Sequence, residues 1–284
     1  MNKVAVVTDS TAYIPKEYLE KYSISVVPQI LIWGEQTFED GVDILPDEFY
    51  RRLASAKVMP TSSQPHVSNM KETFSTLLDQ GYSVLGIFIS AKLSGTLQSA
   101  MQAREMLAGG QEKIEIVDSL STTMAMGFQV LTAARAAADG ASLEECKILA
   151  ENARLCTGVY FVVDTLEFLH RGGRIGGAQR LLGTALNLKP ILAVQDGRVD
   201  AIERIRTKRR AMERLVEIIV EQCAGKPVVR LAALDANAPH EAKELLDSAS
   251  GQLNVIEKIF TEVSPVVGTH IGPGTVGLAY MIET

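Results

Sequence analysis

The first half of the chain is punctuated by three short apolar runs, VAVV at 4–7, VLGIFI at 84–89 and IEIV at 114–117. Each ends in a hydroxyl-rich turn and is followed by residues at helical spacing. Strands that return through a helix lie parallel to one another, because only antiparallel partners can be joined by a tight hairpin. The alternation therefore predicts an open parallel sheet covered by helices on both faces. Such a sheet takes its polar ligands in the crevice beyond the carboxyl ends of its strands, so the turns that close these runs are the first place to look for chemistry.

Further along this half, a second apolar run spans 24–32. Gly34 and Gln36 suit a turn that opens a small hairpin with Thr37 and Phe38. Pro46 with Asp47 and Glu48 predicts a helix over 46–56. Leu97, Met101, Arg104 and Leu107 fall on one helical stripe, and 123–138 and 143–155 read as two successive helices. A boundary just after them divides the chain into residues 1–157, a three-layer α/β/α domain, and residues 158–284. The second part reads as strands at 159–163, 190–194, 199–203, 228–234, 255–260 and 276–282, with helices at 208–223 and 240–248 on one face. Asp196–Gly197 suits a type I′ hairpin turn. The expected fold class is thus α/β: a parallel-sheet domain followed by a two-layer mixed-sheet domain, without internal repeats.

Composition narrows the function classes. Of 284 residues, 46% are hydrophobic and 22% charged, and the net charge is −6, which describes a globular chain without the basic face that nucleic acid demands. Cys146, Cys156 and Cys223 show no CxxC spacing, which argues for buried thiols in a reducing compartment and against a zinc site. The start of the chain has no secretory pattern, and no apolar stretch approaches the roughly 20 residues of a membrane span. A cytoplasmic protein without integral membrane association is expected.

Four hydroxyl-rich turns carry the candidate site: TDST at 8–11, PTSSQP at 60–65, SAKLSGT at 90–96 and DSLST at 118–122. Ser94, Gly95 and Thr96 fall at a helix N-terminus, where free N–H groups and the helix dipole favour a carboxylate or phosphate. Plain N-capping accounts for such a serine equally well. There is no GxSxG elbow, no P-loop and no strand-linked GxGxxG, and His66 is the only histidine of the first half, so nucleotide chemistry is not expected and serine catalysis has little support. In the second half, FLHRGGRIGG at 168–177 brings Arg171 and Arg174 into a glycine-rich loop. Arginines so placed either stay solvated or grip a carboxylate or phosphate. VGTHIGPGT at 267–275 holds His270 between glycines, without companions for a metal. A basic run (Arg204, Arg206, Lys208, Arg209, Arg210, Arg214) is either a solvated helix face or a docking patch.

Taken together, VTDST at 7–11, PTSSQP at 60–65, LSGT at 93–96, LHRGGRIG at 169–176 and GTHIGPGTVG at 268–277 resemble the DegV family, in order along nearly the whole chain, as one unit over 3–282. The resemblance implies a carrier that buries one long-chain fatty acid in an apolar tunnel between two domains, with no cofactor. It implies a carboxylate held near Thr61, Ser62, Ser94, Gly95, Thr96 and His270. It further implies a separate ATP-dependent fatty acid kinase as partner, making an acyl phosphate for phospholipid synthesis, with Arg171 and Arg174 facing the phosphoryl donor or that partner. The main alternative is a serine-dependent hydrolase or an acyl or phosphoryl transferase using Ser94 and His270. A lipid-sensing regulator that docks through the basic run is a third reading.

Overall fold

The computed structural model describes residues 3–183 and 188–283. In chain order the first half comprises β1 (Val4–Asp9), α1 (Lys16–Lys21), β2 (Ser25–Val27), β3 (Ile30–Trp33), β4 (Gln36–Glu39), α2 (Pro46–Leu53), β5 (Thr61–Ser63), α3 (Val67–Asp79), β6 (Ser83–Phe88), α4 (Thr96–Glu105), β7 (Ile114–Asp118), α5 (Thr123–Ala138) and α6 (Leu143–Cys156). There follow β8 (Thr157–Val162), α7 (Glu167–Arg171), β9 (Ile191–Gln195), β10 (Arg198–Glu203), α8 (Lys208–Gln222), β11 (Val229–Ala236), α9 (Pro239–Ser250), β12 (Val255–Glu262), α10 (Pro265–Ile271) and β13 (Thr275–Ile282).

The first sheet has the order β2-β1-β6-β7 and is parallel throughout, as the strand–helix alternation requires. Side chains alternate across it. Val7, Val84 and Phe88 pack against Phe74 of α3 and Ala100 of α4, whereas Val6, Leu85 and Ile87 face Met124 and Phe128 of α5. Both faces are dry, which is why the strands read as unbroken apolar runs.

The second sheet, β10-β9-β8-β13-β11-β12, is mixed: β11 and β12 are parallel and the other pairs antiparallel. The Asp196–Gly197 turn has positive φ at both residues (48° and 79°) and joins β9 to β10 with Arg198 opposite Gln195, the geometry of a two-residue hairpin. Helices α8 and α9 cover one face through Leu215, Ile219 and Leu245. The other face packs against α5, since Ala232, Leu234, Ala279 and Met281 share one core with Met124, Phe128 and Leu131. Helix α5 thus lies between the sheets, and every residue from Thr123 to Leu131 is buried. A helix apolar on all sides is what such a position demands.

Three segments differ from the sequence expectation. The run at 24–32 is two strands in different sheets, because Pro28 interrupts the ladder: β2 edges the parallel sheet, while β3 pairs with β4 and β5. Residues 61–63, read as part of a polar loop, form strand β5, with Ile30 opposite Ser63 and Ile32 opposite Thr61. Three residues bracketed by prolines are too short to show a period. The glycine-rich segment at 267–275 begins inside helix α10, with Pro265 in its first turn and Gly272 (φ 75°) ending it. Half of the basic run is ion-paired: Arg214 meets Glu203, Glu217 and Glu221, Lys208 meets Asp164 and Glu241, and Arg209 meets Glu213.

Gly127 shows how closely α5 is fitted. A Cβ there would lie 2.6 Å from the Ala12 carbonyl oxygen and 2.8 Å from the Met124 sulfur. Gly127→Ala improves helix propensity by about 1 kcal/mol, yet it is expected to destabilise the protein by about 1–3 kcal/mol, because backbone cannot yield to the added methyl. Urea unfolding monitored by circular dichroism checks the sign; a stabilised variant would mean that the contact gives way.

Candidate functional site

A cavity lies between the carboxyl ends of the parallel strands, helix α10 and the inner face of the second sheet. Its walls are mostly apolar, with Ile89 and Leu93 from the β6 end, Phe161 from β8, Leu234 from β11 and Val267 and Ile271 from α10. All four hydroxyl-rich turns reach it, through Thr11, Ser62, Ser94 and Thr122. Cross-sheet bonds hold its frame. The Ser90 hydroxyl donates to the Gly197 carbonyl at 2.8 Å, and Lys92 Nζ donates to the Asp196 carbonyl at 2.6 Å, tying the β6 turn to the β9–β10 hairpin.

Ser62, Ser94, Arg174 and His270 are among its polar lining residues. His270 stands in the last turn of α10, and its Nε2 lies 2.6 Å from Ser62 Oγ. Its Nδ1 is buried and has no hydrogen-bond partner among the described residues. The ring fits only because residue 172 is glycine: a Cβ there would stand 2.1 Å from Nδ1. Burial, with the nearby Arg174 guanidinium as a second cause, pushes the imidazole pKa down to about 4, so the ring is neutral at physiological pH. Arg174 is held by the Leu93 carbonyl (Nε, 3.1 Å) and the Gly172 carbonyl (Nη1, 2.7 Å). The glycine pairs of the 168–177 segment thus allow close approach within the chain itself, Gly172 to His270 and Gly176 to the Val199 backbone.

Ser94 stands one residue before Gly95, the N-cap of α4. Its Oγ lies 2.8 Å from Thr96 Oγ1 and accepts from the Thr96 N–H at 3.3 Å. The serine therefore serves the helix start and lines the cavity at the same time. Ser94 is hydrogen-bonded to Thr96, and it is Ser62 that meets the histidine, so the Ser94–His270 pair of the hydrolase alternative is not hydrogen-bonded. The remaining expected residues stand elsewhere. Thr61 is exposed and outside the lining. Gly95 packs on the Gln64 side chain, where a Cβ would come within 3.0 Å, and Thr96 is fully buried behind Ser94. Arg171 projects from α7, half exposed and ion-paired to Glu167.

Two participants escaped the sequence reading. One is Gly172, whose partner is distant in sequence. The other is Gln29, a cavity-lining residue whose Nε2 donates to Thr96 Oγ1 at 2.7 Å. The only signal for it is a lone amide inside the apolar run at 24–32. Asp9, at the end of β1, is fully buried. Its carboxylate accepts from the Thr11 N–H (2.9 Å), the Thr11 hydroxyl (2.6 Å) and the Ile89 N–H (2.9 Å), while desolvation raises its pKa. Among the described residues no three His, Cys, Asp or Glu side chains gather to hold a metal ion. An apolar pocket with neutral hydroxyl donors and one guanidinium in its wall suits an amphiphile with an anionic head.

Comparison with known proteins agrees with this geometry. The family model described as "Uncharacterised protein, DegV family" matches residues 3–283. A DegV domain-containing protein of Clostridium acetobutylicum is 37% identical over 282 residues, covering 99% of this chain and 98% of its own. A Thermus thermophilus structure described as fatty acid binding of a DegV family protein superposes with a TM-score of 0.93 at 33% identity, covering 99% of this chain and 100% of its own. Bacillus subtilis DegV, described as a fatty acid binding protein, superposes with a TM-score of 0.90 at 32% identity over the full length of both chains. From residue 3 to residue 283, the chain belongs to the DegV family.

Proposed function

We propose that this protein binds one long-chain fatty acid in the cavity, with its carboxylate at Ser62, Ser94 and His270, and presents that carboxylate to a separate ATP-dependent kinase. The observation that carries the reading is the apolar cavity with Ser62, Ser94, Arg174 and His270 together on its wall. The solved relatives described as fatty acid binding support it. Each methylene buried contributes about 0.8 kcal/mol, so the tail supplies affinity and the polar groups need only orient the head. A carboxylate is costly to bury without donors, and here it would meet serine hydroxyls with Arg174 close by. With Nε2 protonated, His270 donates to Ser62 Oγ and leaves the Ser62 proton for the ligand, so the carboxylate selects that tautomer.

Acyl phosphate formation for phospholipid synthesis then belongs to the kinase, with Arg171 and Arg174 facing the phosphoryl donor or the kinase. The outward projection of Arg171 supports that assignment. Three unpaired cysteines suit a reducing cytoplasm, and among the described residues no helix is long and apolar enough to cross a membrane. A hydrolase reading draws on the close Ser62–His270 pair, but it lacks the group that orients the base, since Nδ1 has no partner.

Mass spectrometry of material extracted from the purified protein is expected to show one equivalent of long-chain fatty acid. Ser94→Ala is expected to weaken fatty acid binding about tenfold, the value of one hydrogen bond to a charged group, with the fold retained. Arg171→Ala is expected to spare lipid binding and to lower acyl phosphate formation by an added fatty acid kinase. Equal loss of lipid binding in both variants, or ester hydrolysis by the chain alone, would overturn the assignment of roles.

The neutral histidine also makes a pH prediction for the lipid-free protein. His270 titrates at about 4 when folded against 6.5 when unfolded, so between these values the unfolded chain binds a proton that the folded chain refuses. Its contribution is intact above pH 6.5 and is lost as the pH falls toward 4. His270→Gln removes this dependence, and its stability is expected to fall less than that of the wild type between pH 6.5 and 4.5, by on the order of 2 kcal/mol. Denaturant unfolding at the two pH values measures the difference.

A further inference from the structure

Building on that reading of the cavity, we propose that Gln29 is a positioning residue that fixes the Ser94 hydroxyl as a donor toward the bound carboxylate. Gln29 follows Pro28 at the break between β2 and β3 and is 2% exposed. Its backbone is held on both sides: the N–H donates to Ser10 Oγ at 3.1 Å, and the carbonyl accepts from the Asp40 N–H at 2.9 Å. The Ser10 hydroxyl in turn donates to Asp40 Oδ2 at 2.6 Å, so the segment cannot slide.

The side chain is oriented as firmly. Its amide lies near the Asp9 carboxylate, an acceptor that favours the NH₂ group over the carbonyl oxygen on that side. The same nitrogen donates to Thr96 Oγ1 at 2.7 Å. An amide nitrogen cannot accept, so the Thr96 hydroxyl proton must go elsewhere. Thr96 is fully buried, away from water, and the acceptor within reach is Ser94 Oγ at 2.8 Å. Ser94 Oγ thus accepts the Thr96 hydroxyl and, at 3.3 Å, the Thr96 N–H. Both its lone-pair directions are filled, and its own proton points along the one direction left, into the cavity that it lines. A carboxylate is acceptor-only when ionised, so this polarity favours it over a neutral head group. Without Gln29 the Thr96–Ser94 pair can run in either sense.

The test compares palmitate with hexadecan-1-ol, whose head can donate as well as accept, by displacement of a fluorescent fatty acid analogue at neutral pH. The readout is the ratio of the two dissociation constants. In Gln29→Met the preference for palmitate is expected to fall about tenfold while hexadecanol binding stays within about threefold of wild type. The same fall is expected in Ser94→Ala, with no further fall in the double variant. Thr96→Val, which breaks the relay at the next atom with little change of shape, should reproduce the effect if Gln29→Met fails to fold, and Thr96→Ser should retain the wild-type ratio. A preserved ratio in Gln29→Met or Thr96→Val, alongside a reduced one in Ser94→Ala, would overturn the role of Gln29 and leave the fatty acid reading standing. So would equal, additive losses for both ligands, which mark a structural role. Wild-type protein that binds neither ligand would overturn the fatty acid reading and the relay with it.

Discussion

The packing of α5 between the two sheets is the constraint on which the rest of the structure depends. One helix supplies the inner layer for both, so Leu85 of the first sheet and Leu234 of the second belong to a single core. The cavity opens where that shared layer stops, at the N-terminal end of α5, with Thr122 and Thr123 in its wall. Movement between the halves would shear a core of fully buried side chains, and close-packed interiors resist such movement. The hairpin bonds from Ser90 and Lys92 add a second fastening between the halves. The turns that carry the site are therefore anchored to one packed core.

Within that frame, the electrostatics are arranged so that little charge is buried before a ligand arrives. His270 is neutral because burial and Arg174 both oppose its protonation. Arg174 already donates to two backbone carbonyls, which fix the guanidinium without neutralising it. Asp9 is buried, but it accepts from Thr11 in the turn after its own strand and from Ile89 at the end of neighbouring β6, so it ties the two strand ends together behind the cavity wall. A carboxylate entering this wall would bring the compensating charge for Arg174. In the proposed reading, the fatty acid head forms an ion pair with Arg174.

How much of this was legible in sequence follows from the range of each interaction. The strands at 4–7, 84–89 and 114–117 were readable because both their faces are buried, and the hairpin at Asp196–Gly197 because its turn chemistry is local. Strand β5 was not, since it exists only through pairing with β3, and the start of α10 was hidden by glycines kept for tertiary reasons. Gly268 is one of these: a Cβ there would strike the rings of Phe49 and Tyr50. Ser62, Ser94, Arg174 and His270 could be brought together before the fold was known only through the ordered motifs of a family. Gln29 illustrates the limit, because its role depends on Thr96, 67 residues away, and on Asp9, with no pattern linking them.

The Ser62–His270 pair shows why proximity of a serine and a histidine does not by itself make a nucleophile. A base that draws a proton from serine must carry it as an imidazolium, and it needs a partner at its other nitrogen to stabilise that charge. Here the other nitrogen faces Gly172 without an acceptor, and the ring already resists protonation beside Arg174. The same features are assets for a holder of carboxylates. A histidine that stays neutral can give its single proton to Ser62, and Ser62 can then give its own to a ligand oxygen. Ser94 would reach the same polarity from the opposite side through Thr96 and Gln29, so two independent relays would present hydroxyl protons to one locus. Such a wall favours an anion that remains unreacted, as the proposed carrier role requires.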